Sequence, residues 1–408
     1  MKYALVTFGC RVNQADSLAI EAQLRAKGAT HAAPEDADVV VVNSCSVTAT
    51  ADQGTRQAIR RIVRANPDVR VVVTGCYATR EPGEVRALPN VLHVVRNDSK
   101  DALHELVGEG DGPCGRPLEP GVAGRTALTL RVQTGCEEQC SYCIIPQTRG
   151  AGRSKPLGVI VADLQRAIEA GYREVVITGV HLGSYGRDLS DGSSLTALVR
   201  VLAEWGGDVL FRISSLEPMD CTGEIVDLVS SSPRLAPHFH LPLQHGSDEM
   251  LRAMRRPYTV AYYRALVERI KTVMPDASVG SDIIVGFPGE QDAHVAGMRS
   301  VLEQLPLTHL HVFPYSDRPG TEASQVHPKV DGRDTRERGR EVRAIGEQMT
   351  RRFKQSQIGR TVRGLTVDDG RSVVTGNYLK LRLDVQRPRN EWVTVRVEDG
   401  EKAVVVTA

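Results

Sequence analysis

The sequence predicts a multidomain α/β protein: an N-terminal parallel α/β (Rossmann-like) domain, a central partial (β/α)6 barrel and a C-terminal small antiparallel β-barrel. Three observations carry this expectation. Val-rich runs alternate with helical patterns through residues 1–107, and the alternation resumes at Leu128 for six further units. Beyond Pro328 the texture changes to a basic helix followed by short strand-like runs. Continuous apolar strands between helices mark parallel sheets covered on both faces, whereas short strands split by turn signals mark antiparallel ones.

In the first domain, residues 1–107, strands are expected at 3–8, 39–43, 69–74 and 91–95, and helices over 16–27, 53–65 and 100–107. Residues 108–125 hold five Gly before Gly124 and three Pro without periodicity, which reads as a linker. The central domain, 126–356, has expected strands at 128–132, 174–178, 209–214, 239–243, 278–285 and 309–313, with helical patterns between them. Six units in about 190 residues suit an open barrel better than a closed eightfold one, and a ligand would sit at the C-terminal strand ends. The basic helix 333–354 closes this part. In the last domain, 357–408, strand-like runs are separated by Asp369-Gly370, Gly376-Asn377 and Asp399-Gly400, the turn chemistry of a small barrel.

At 408 residues, 41% hydrophobic and 25% charged, the chain is neither disordered throughout nor a single small module. No run approaches the roughly 20 apolar residues of a membrane span, and Met1-Lys2-Tyr3-Ala4 leads straight into a strand-like run rather than a signal peptide. A soluble, cytoplasmic, monomeric protein is expected. Eight scattered cysteines make no disulfide framework in that compartment and read as metal or redox ligands, or as buried fillers.

The strongest chemical signal is Cys136-Glu137-Glu138-Gln139-Cys140-Ser141-Tyr142-Cys143, a C-x3-C-x2-C loop just after an expected strand. Three thiolates within eight residues wrap one soft metal centre, as iron–sulfur clusters require. A structural zinc site would want a fourth ligand, and no further Cys or His lies nearby in sequence. Cys10, Cys45 and Cys76 form a second, less local set. Each follows an expected parallel strand, at separations of 35 and 31 residues, close to one βα repeat. Taken singly, each is a small buried hydrophobe; at equivalent places in neighbouring repeats, the three thiols can converge on a second cluster. Cys114 and Cys221 have no such context.

The cysteine loop, with Tyr142 before its last member, resembles that of the radical SAM enzymes. With the second cysteine set and the small C-terminal barrel, almost the whole chain resembles the methylthiotransferases of that superfamily. These combine an N-terminal three-cysteine cluster domain, a radical SAM domain and a TRAM domain. The words Gly9-Cys10-Arg11-Val12-Asn13-Gln14, Tyr142-Cys143-Ile144-Ile145-Pro146 and Thr178-Gly179-Val180-His181-Leu182-Gly183-Ser184-Tyr185-Gly186 resemble the branch acting on N6-threonylcarbamoyladenosine at tRNA position 37.

The resemblance implies two [4Fe-4S] clusters, held by Cys10, Cys45 and Cys76 and by Cys136, Cys140 and Cys143, and S-adenosyl-L-methionine (SAM). It also implies a transferase that replaces the hydrogen on adenine C2 by a methylthio group, an electron donor such as a flavodoxin or ferredoxin, and the tRNA anticodon loop as partner. Matching segments put SAM-binding residues at Thr178, Gly179, Ser214, Ser215, Glu217 and Gln244. Ile284, Gly286 and Glu290 are added from a partial match to an adenine-binding G-x-I-x-G-x-x-E word. An unactivated aryl C–H offers no useful acid or leaving group, so no side chain is expected to act alone as catalyst.

Residues 329–408 carry 18 Lys plus Arg against 12 Asp plus Glu, a balance of +6, whereas the preceding 328 residues balance at −5. A basic end beside an acidic body suits an RNA-gripping appendage. Arg351, Arg352, Lys354, Arg360, Arg363, Lys380 and Arg382 are candidate contacts to the tRNA backbone. The interleaved Glu337, Glu341 and Glu347 also fit a plain solvated helix face. Three alternatives stay open: isopentenyladenosine in tRNA as the substrate, a ribosomal-protein aspartate as the substrate, or a non-catalytic iron–sulfur RNA-binding module.

Overall fold

The computed structural model describes residues 1–108 and 118–406, so Cys114 and the middle of the Gly/Pro-rich linker lie outside the described residues. The N-terminal part is a five-stranded parallel sheet of order β2-β1-β3-β4-β5: β1 Lys2–Thr7, β2 Thr30–His31, β3 Val39–Ser44, β4 Arg70–Gly75 and β5 Val91–Val95. All six residues of β3 are buried, which is why its sequence reads as an unbroken Val run. The two-residue β2 was not expected, being too short to show periodicity. The helix expected from Asp16 starts at Arg11, and that expected from Gln53 starts at Ala49. Polar Asn13 and Asp16 are buried in the first turns of the former and hide its apolar stripe. Thr48 caps the latter by accepting from the Ala51 amide.

The register levels the strand ends. Thr7 lies opposite Asn43, Asn43 opposite Thr74 and Ser44 opposite Gly75, so the loops bearing Cys10, Cys45 and Cys76 leave one edge of the sheet together.

The central part is an open arc of six parallel strands: β6 Leu128–Arg131, β9 Glu174–Thr178, β10 Leu210–Ile213, β11 His238–His240, β12 Ser278–Val285 and β13 His309–Pro314. A short antiparallel pair, β7 Gln133–Thr134 with β8 Arg153–Ser154, brackets the cysteine loop. Two three-stranded sheets, β10-β9-β6 and β11-β12-β13, are joined by the single bridges Phe211–Leu235 and Ser215–His240. Outward-facing residues pack under the surrounding helices into one core that includes Ile177, Phe211, Leu198 and Val226. Phe211 is fully buried, edge-on to Trp205. Phe211→Ala is expected to cost about 3–5 kcal/mol, read as a lowered urea midpoint.

The helix Gly332–Ser356 runs along β13 into a closed barrel of β14 Thr361–Val367, β15 Ser372–Thr375, β16 Lys380–Leu383, β17 Trp392–Val397 and β18 Lys402–Val405. Four seams are antiparallel and one, β16–β18, is parallel. Five strands in a ring cannot reverse direction at every seam, so the expected antiparallel barrel carries this one exception. Its Gly376–Tyr378 turn meets the arc at Arg212, a fully buried side chain. Arg212 pairs with Glu174 at 2.9 Å, donates to Gly376 O at 2.8 Å and stacks over the Tyr378 ring. Among the described residues no helix is long and apolar enough to cross a membrane.

Candidate functional site: a cavity between two sets of three cysteines

Gly135 opens the Cys136–Cys143 loop at φ +78°, where a Cβ would sit 1.9 Å from Ala151 O. Only glycine allows the chain to pass there. The loop is then held on both sides: Cys136 N donates to Gly150 O, Ser141 N to Met254 O and Ser141 Oγ to Ala253 O. Tyr142 packs edge-on to Phe287. Burial pushes the Cys143 thiol up to about 12, and Cys140 and Cys136 beside it add to the shift. Burial also raises Cys140, opposed by the Arg256 guanidinium, whose Nη1 lies 3.1 Å from the sulfur. Three soft donors crowded together fit a cationic iron–sulfur centre that would fix them as thiolates.

The second set converges as the register requires. Cys10, Cys45 and Cys76 all line a cavity of about 700 Å³ that continues into the lumen of the arc. Gly9, at φ +91°, packs against Cys45; a Cβ there would fall 2.6 Å from its sulfur. Burial pushes Cys45 up to about 12, with Cys76 and Cys10 contributing. Behind the thiols lies a buried charge network. Arg149 Nη2 donates to Asp16 Oδ2 at 3.1 Å, and Lys100 Nζ donates to the same oxygen at 2.8 Å. Burial works against the charge on Arg149, but Cys76, Asp16 and Cys10 outweigh it and leave its pKa raised. Arg149 belongs to the helical turn just after the other cysteine loop, so one side chain ties the two sites together.

Thr178, Gly179, Ser214 and Ser215, all at strand ends, line the same cavity, and Ser214 Oγ donates to Thr178 Oγ1 at 3.1 Å. Five other expected cofactor contacts do not line it. Glu217 is ion-paired to Arg256 beside Cys140. Gln244, at φ +69°, is locked by backbone bonds to Asp282 and Ile284. Ile284 packs with Phe287, Met250 and Met254, against Tyr142. Glu290 is buried and committed within the protein: Oε1 accepts from Gly286 N at 3.0 Å and Arg338 Nη1 at 2.8 Å, while Oε2 faces His245 at 3.2 Å. The carboxylate thus holds its own loop in place. His245 is its partner.

The basic C-terminal residues divide. Arg360 pairs with Asp276, and Arg363 with Asp208 at 2.5 Å, tying the small barrel to the body. Arg351 faces Glu347 at 3.9 Å. Lys354 and Lys380 line the cavity, each with a carboxylate partner of its own, Glu401 at 3.0 Å and Asp368 at 2.7 Å. Arg352 and Arg382 are exposed and make no ion pair among the described residues.

Several site residues escaped the sequence reading. Arg256 and Arg149 reach the cysteines from elements that carry no spacing signal. His181 sits beside Cys136 with Asp220 at 2.9 Å; burial opposes its charge, but Asp220 and Cys136 raise its pKa to about 10. His240, Asp282, His309 and His311 line the lumen. Their alternation on strands, His238-x-His240 and His309-x-His311, was the signal available.

The chain was compared with known proteins. Residues 2–96 match the family model described as Uncharacterized protein family UPF0004, and residues 130–302 match that of the Radical SAM superfamily. The threonylcarbamoyladenosine tRNA methylthiotransferase MtaB of Aquifex aeolicus is 35% identical over 97% of this chain and 100% of its own length. That of Bacillus subtilis is 34% identical over 86% and 81%. The tRNA-2-methylthio-N(6)-dimethylallyladenosine synthase of Acidothermus cellulolyticus is 32% identical over 99% and 84%. Among solved structures, the radical S-adenosylmethionine methyltransferase TsrM of Kitasatospora setae superposes with a TM-score of 0.57 at 15% identity, covering 79% of this chain and 73% of that one, a likeness of fold.

Proposed function

The chain belongs to the radical SAM methylthiotransferase family, and from this premise we propose that it converts N6-threonylcarbamoyladenosine at position 37 of tRNA to 2-methylthio-N6-threonylcarbamoyladenosine. The observation that carries this reading is the convergence of Cys10, Cys45 and Cys76 on one cavity with the strand-end residues Thr178, Gly179, Ser214 and Ser215. When bound, the two [4Fe-4S] clusters and SAM supply a 5′-deoxyadenosyl radical and the methylthio sulfur.

The chain's own residues do the rest. Cys136, Cys140 and Cys143 hold one cluster, with Arg256 neutralising thiolate charge at Cys140. Cys10, Cys45 and Cys76 hold the other, with Arg149 playing the corresponding part. With three cysteines in each set, a bound cluster would have a position left for a small molecule. Thr178, Gly179, Ser214 and Ser215 bind SAM, with Glu217, Gln244, Ile284 and Gly286 shaping the wall behind it and Glu290 fixing the loop that bears Gly286. Tyr378 and Leu379 form part of the cavity wall from the small barrel and help keep water from the reacting carbon.

Arg11 favours the threonylcarbamoyl substrate. It lines the cavity beside Cys10 and donates to the Tyr378 hydroxyl at 2.8 Å, leaving its charge available to a carboxylate. The domains divide as 1–107 for the N-terminal cluster, 126–356 for radical generation and 357–408 for tRNA grip. Arg352 and Arg382 are the freest backbone contacts, and the target adenine is taken from the unpaired anticodon loop. The working form proposed is a monomer, with a low-potential flavodoxin or ferredoxin as electron donor.

The test is anaerobic turnover of the reconstituted protein on two tRNA pools, one carrying threonylcarbamoyladenosine and one dimethylallyladenosine. Methylthiolation of the first pool, weakened at least about tenfold by Arg11→Gln, is expected from loss of a charge-assisted contact. Methylthiolation of the second pool alone would overturn the substrate assignment.

A further inference from the structure

The lumen of the arc holds a group of side chains that neither cysteine set uses. His240, Asp282 and His311 project from three adjacent strands, β11, β12 and β13. The register is what gathers them: His240 lies opposite Gly280 and Asp282 opposite His311, so alternate residues of all three strands share the lumen face. The His309 ring fills the space over Gly280, where a Cβ would fall 2.0 Å from its Nε2, so only glycine lets that ring pack between the strands.

The three donor atoms are arranged as ligands around a point. His240 Nε2 and His311 Nδ1 approach the same Asp282 oxygen, Oδ1, at 3.0 and 3.2 Å, and all three atoms lie within 4.8 Å of one another. Two ligands bound at about 2.1 Å in cis positions lie roughly 3.0 Å apart, which is the separation of each nitrogen from the shared Asp282 oxygen. Two imidazoles and one carboxylate on a face, with the opposite positions open, is a donor set for divalent first-row metals. His311 is more than half exposed and Asp282 about a quarter, both towards the cavity, so the open side is accessible. Of the cations lining the cavity, Arg149, Lys354 and Lys380 each pair with a carboxylate of their own, and Arg11 donates to the Tyr378 hydroxyl.

We propose that His240, Asp282 and His311 bind one divalent metal ion whose open positions face the cavity and take oxygen atoms of an anionic substrate group. The second half of this rests on the threonylcarbamoyl reading above, because that group brings a carboxylate and a carbamoyl oxygen that can chelate one ion.

The experiment uses full-length, cluster-loaded protein, whose cysteines are occupied, titrated with Mn²⁺ and followed by electron paramagnetic resonance. Mn²⁺ suits oxygen and imidazole ligands better than thiolates. One saturable Mn²⁺ per chain is expected, with affinity lowered at least about tenfold in Asp282→Asn and in His311→Ala; His311 is exposed, so the second variant keeps the fold. Absence of saturable binding, or binding unchanged in both variants, would overturn the site. Adding N6-threonylcarbamoyladenosine nucleoside should then change the bound Mn²⁺ spectrum, and N6-dimethylallyladenosine should leave it unchanged. An unchanged spectrum with the first nucleoside would overturn the co-ligand role. Neither titration contains tRNA or SAM, so failure here is separable from failure of the methylthiolation assay.

Discussion

Cys140→Ala is expected to abolish SAM cleavage: 5′-deoxyadenosine formation should fall more than about a hundredfold, and methylthiolation with it. Changes to groups behind a metal ligand already cost 10–100-fold, and Cys140 is proposed as a ligand itself. The local structure explains why no neighbour can substitute. Of the other buried thiols near the arc, Cys221 lies in its apolar core, its pKa pushed up to about 12 by burial, and has no place at the loop. With Ala at 140, the Arg256 guanidinium also loses one of its two anionic neighbours and keeps only Glu217. The measurement is chromatographic quantitation of 5′-deoxyadenosine under reducing, anaerobic conditions. Turnover within threefold of the unmodified protein would exclude Cys140 as a ligand.

Cys10→Ala should separate the two halves of the chemistry. The variant is expected to retain 5′-deoxyadenosine formation within a factor of a few, while methylthio-nucleoside falls below about one per cent, for the same ligand-loss reason. Cys10 is the exposed member of its set, so its replacement by the smaller Ala leaves no buried void. Loss of activity therefore reports on cluster chemistry rather than on folding. Cys45→Ala is a poorer probe because that thiol is buried against Gly9. Loss of both activities in Cys10→Ala would mean that the cysteine sets are not independent, and retention of both would remove the second cluster.

Much of this molecule is legible in its sequence because its strands are local and strongly patterned. The Val39–Val42 run, the six units after Leu128 and the turn dipeptides after Asp369 each report a burial pattern that the fold preserves. The cysteine loop is legible for a different reason: its three ligands are adjacent in sequence. The N-terminal set was readable only because each cysteine follows a strand, and parallel register then brings the strand ends level.

What the sequence hid depends on tertiary pairing. Asn13 and Asp16 are polar residues inside a helix that would be expected to face water. They are buried because Arg149, Arg131 and Lys100, one of them 133 residues away, satisfy them. The His240, Asp282 and His311 group needs three strands in register before it exists. For Glu290 a short motif was legible, but its ties to His245 and Arg338 from other elements were not. The charge balance of the C-terminal end was likewise real but partly spent: Arg360 and Arg363 hold the small barrel to the body, leaving Arg352 and Arg382 free among its candidate contacts.

That six cysteines hold two clusters is tested most directly by iron and sulfide analysis after anaerobic reconstitution. About eight iron and eight sulfide per chain are predicted from two four-iron centres, falling to about four of each in a variant with Cys10, Cys45 and Cys76 all replaced by Ala. Fewer than about six iron in the unmodified protein, or an unchanged content in the triple variant, would contradict the two-cluster site.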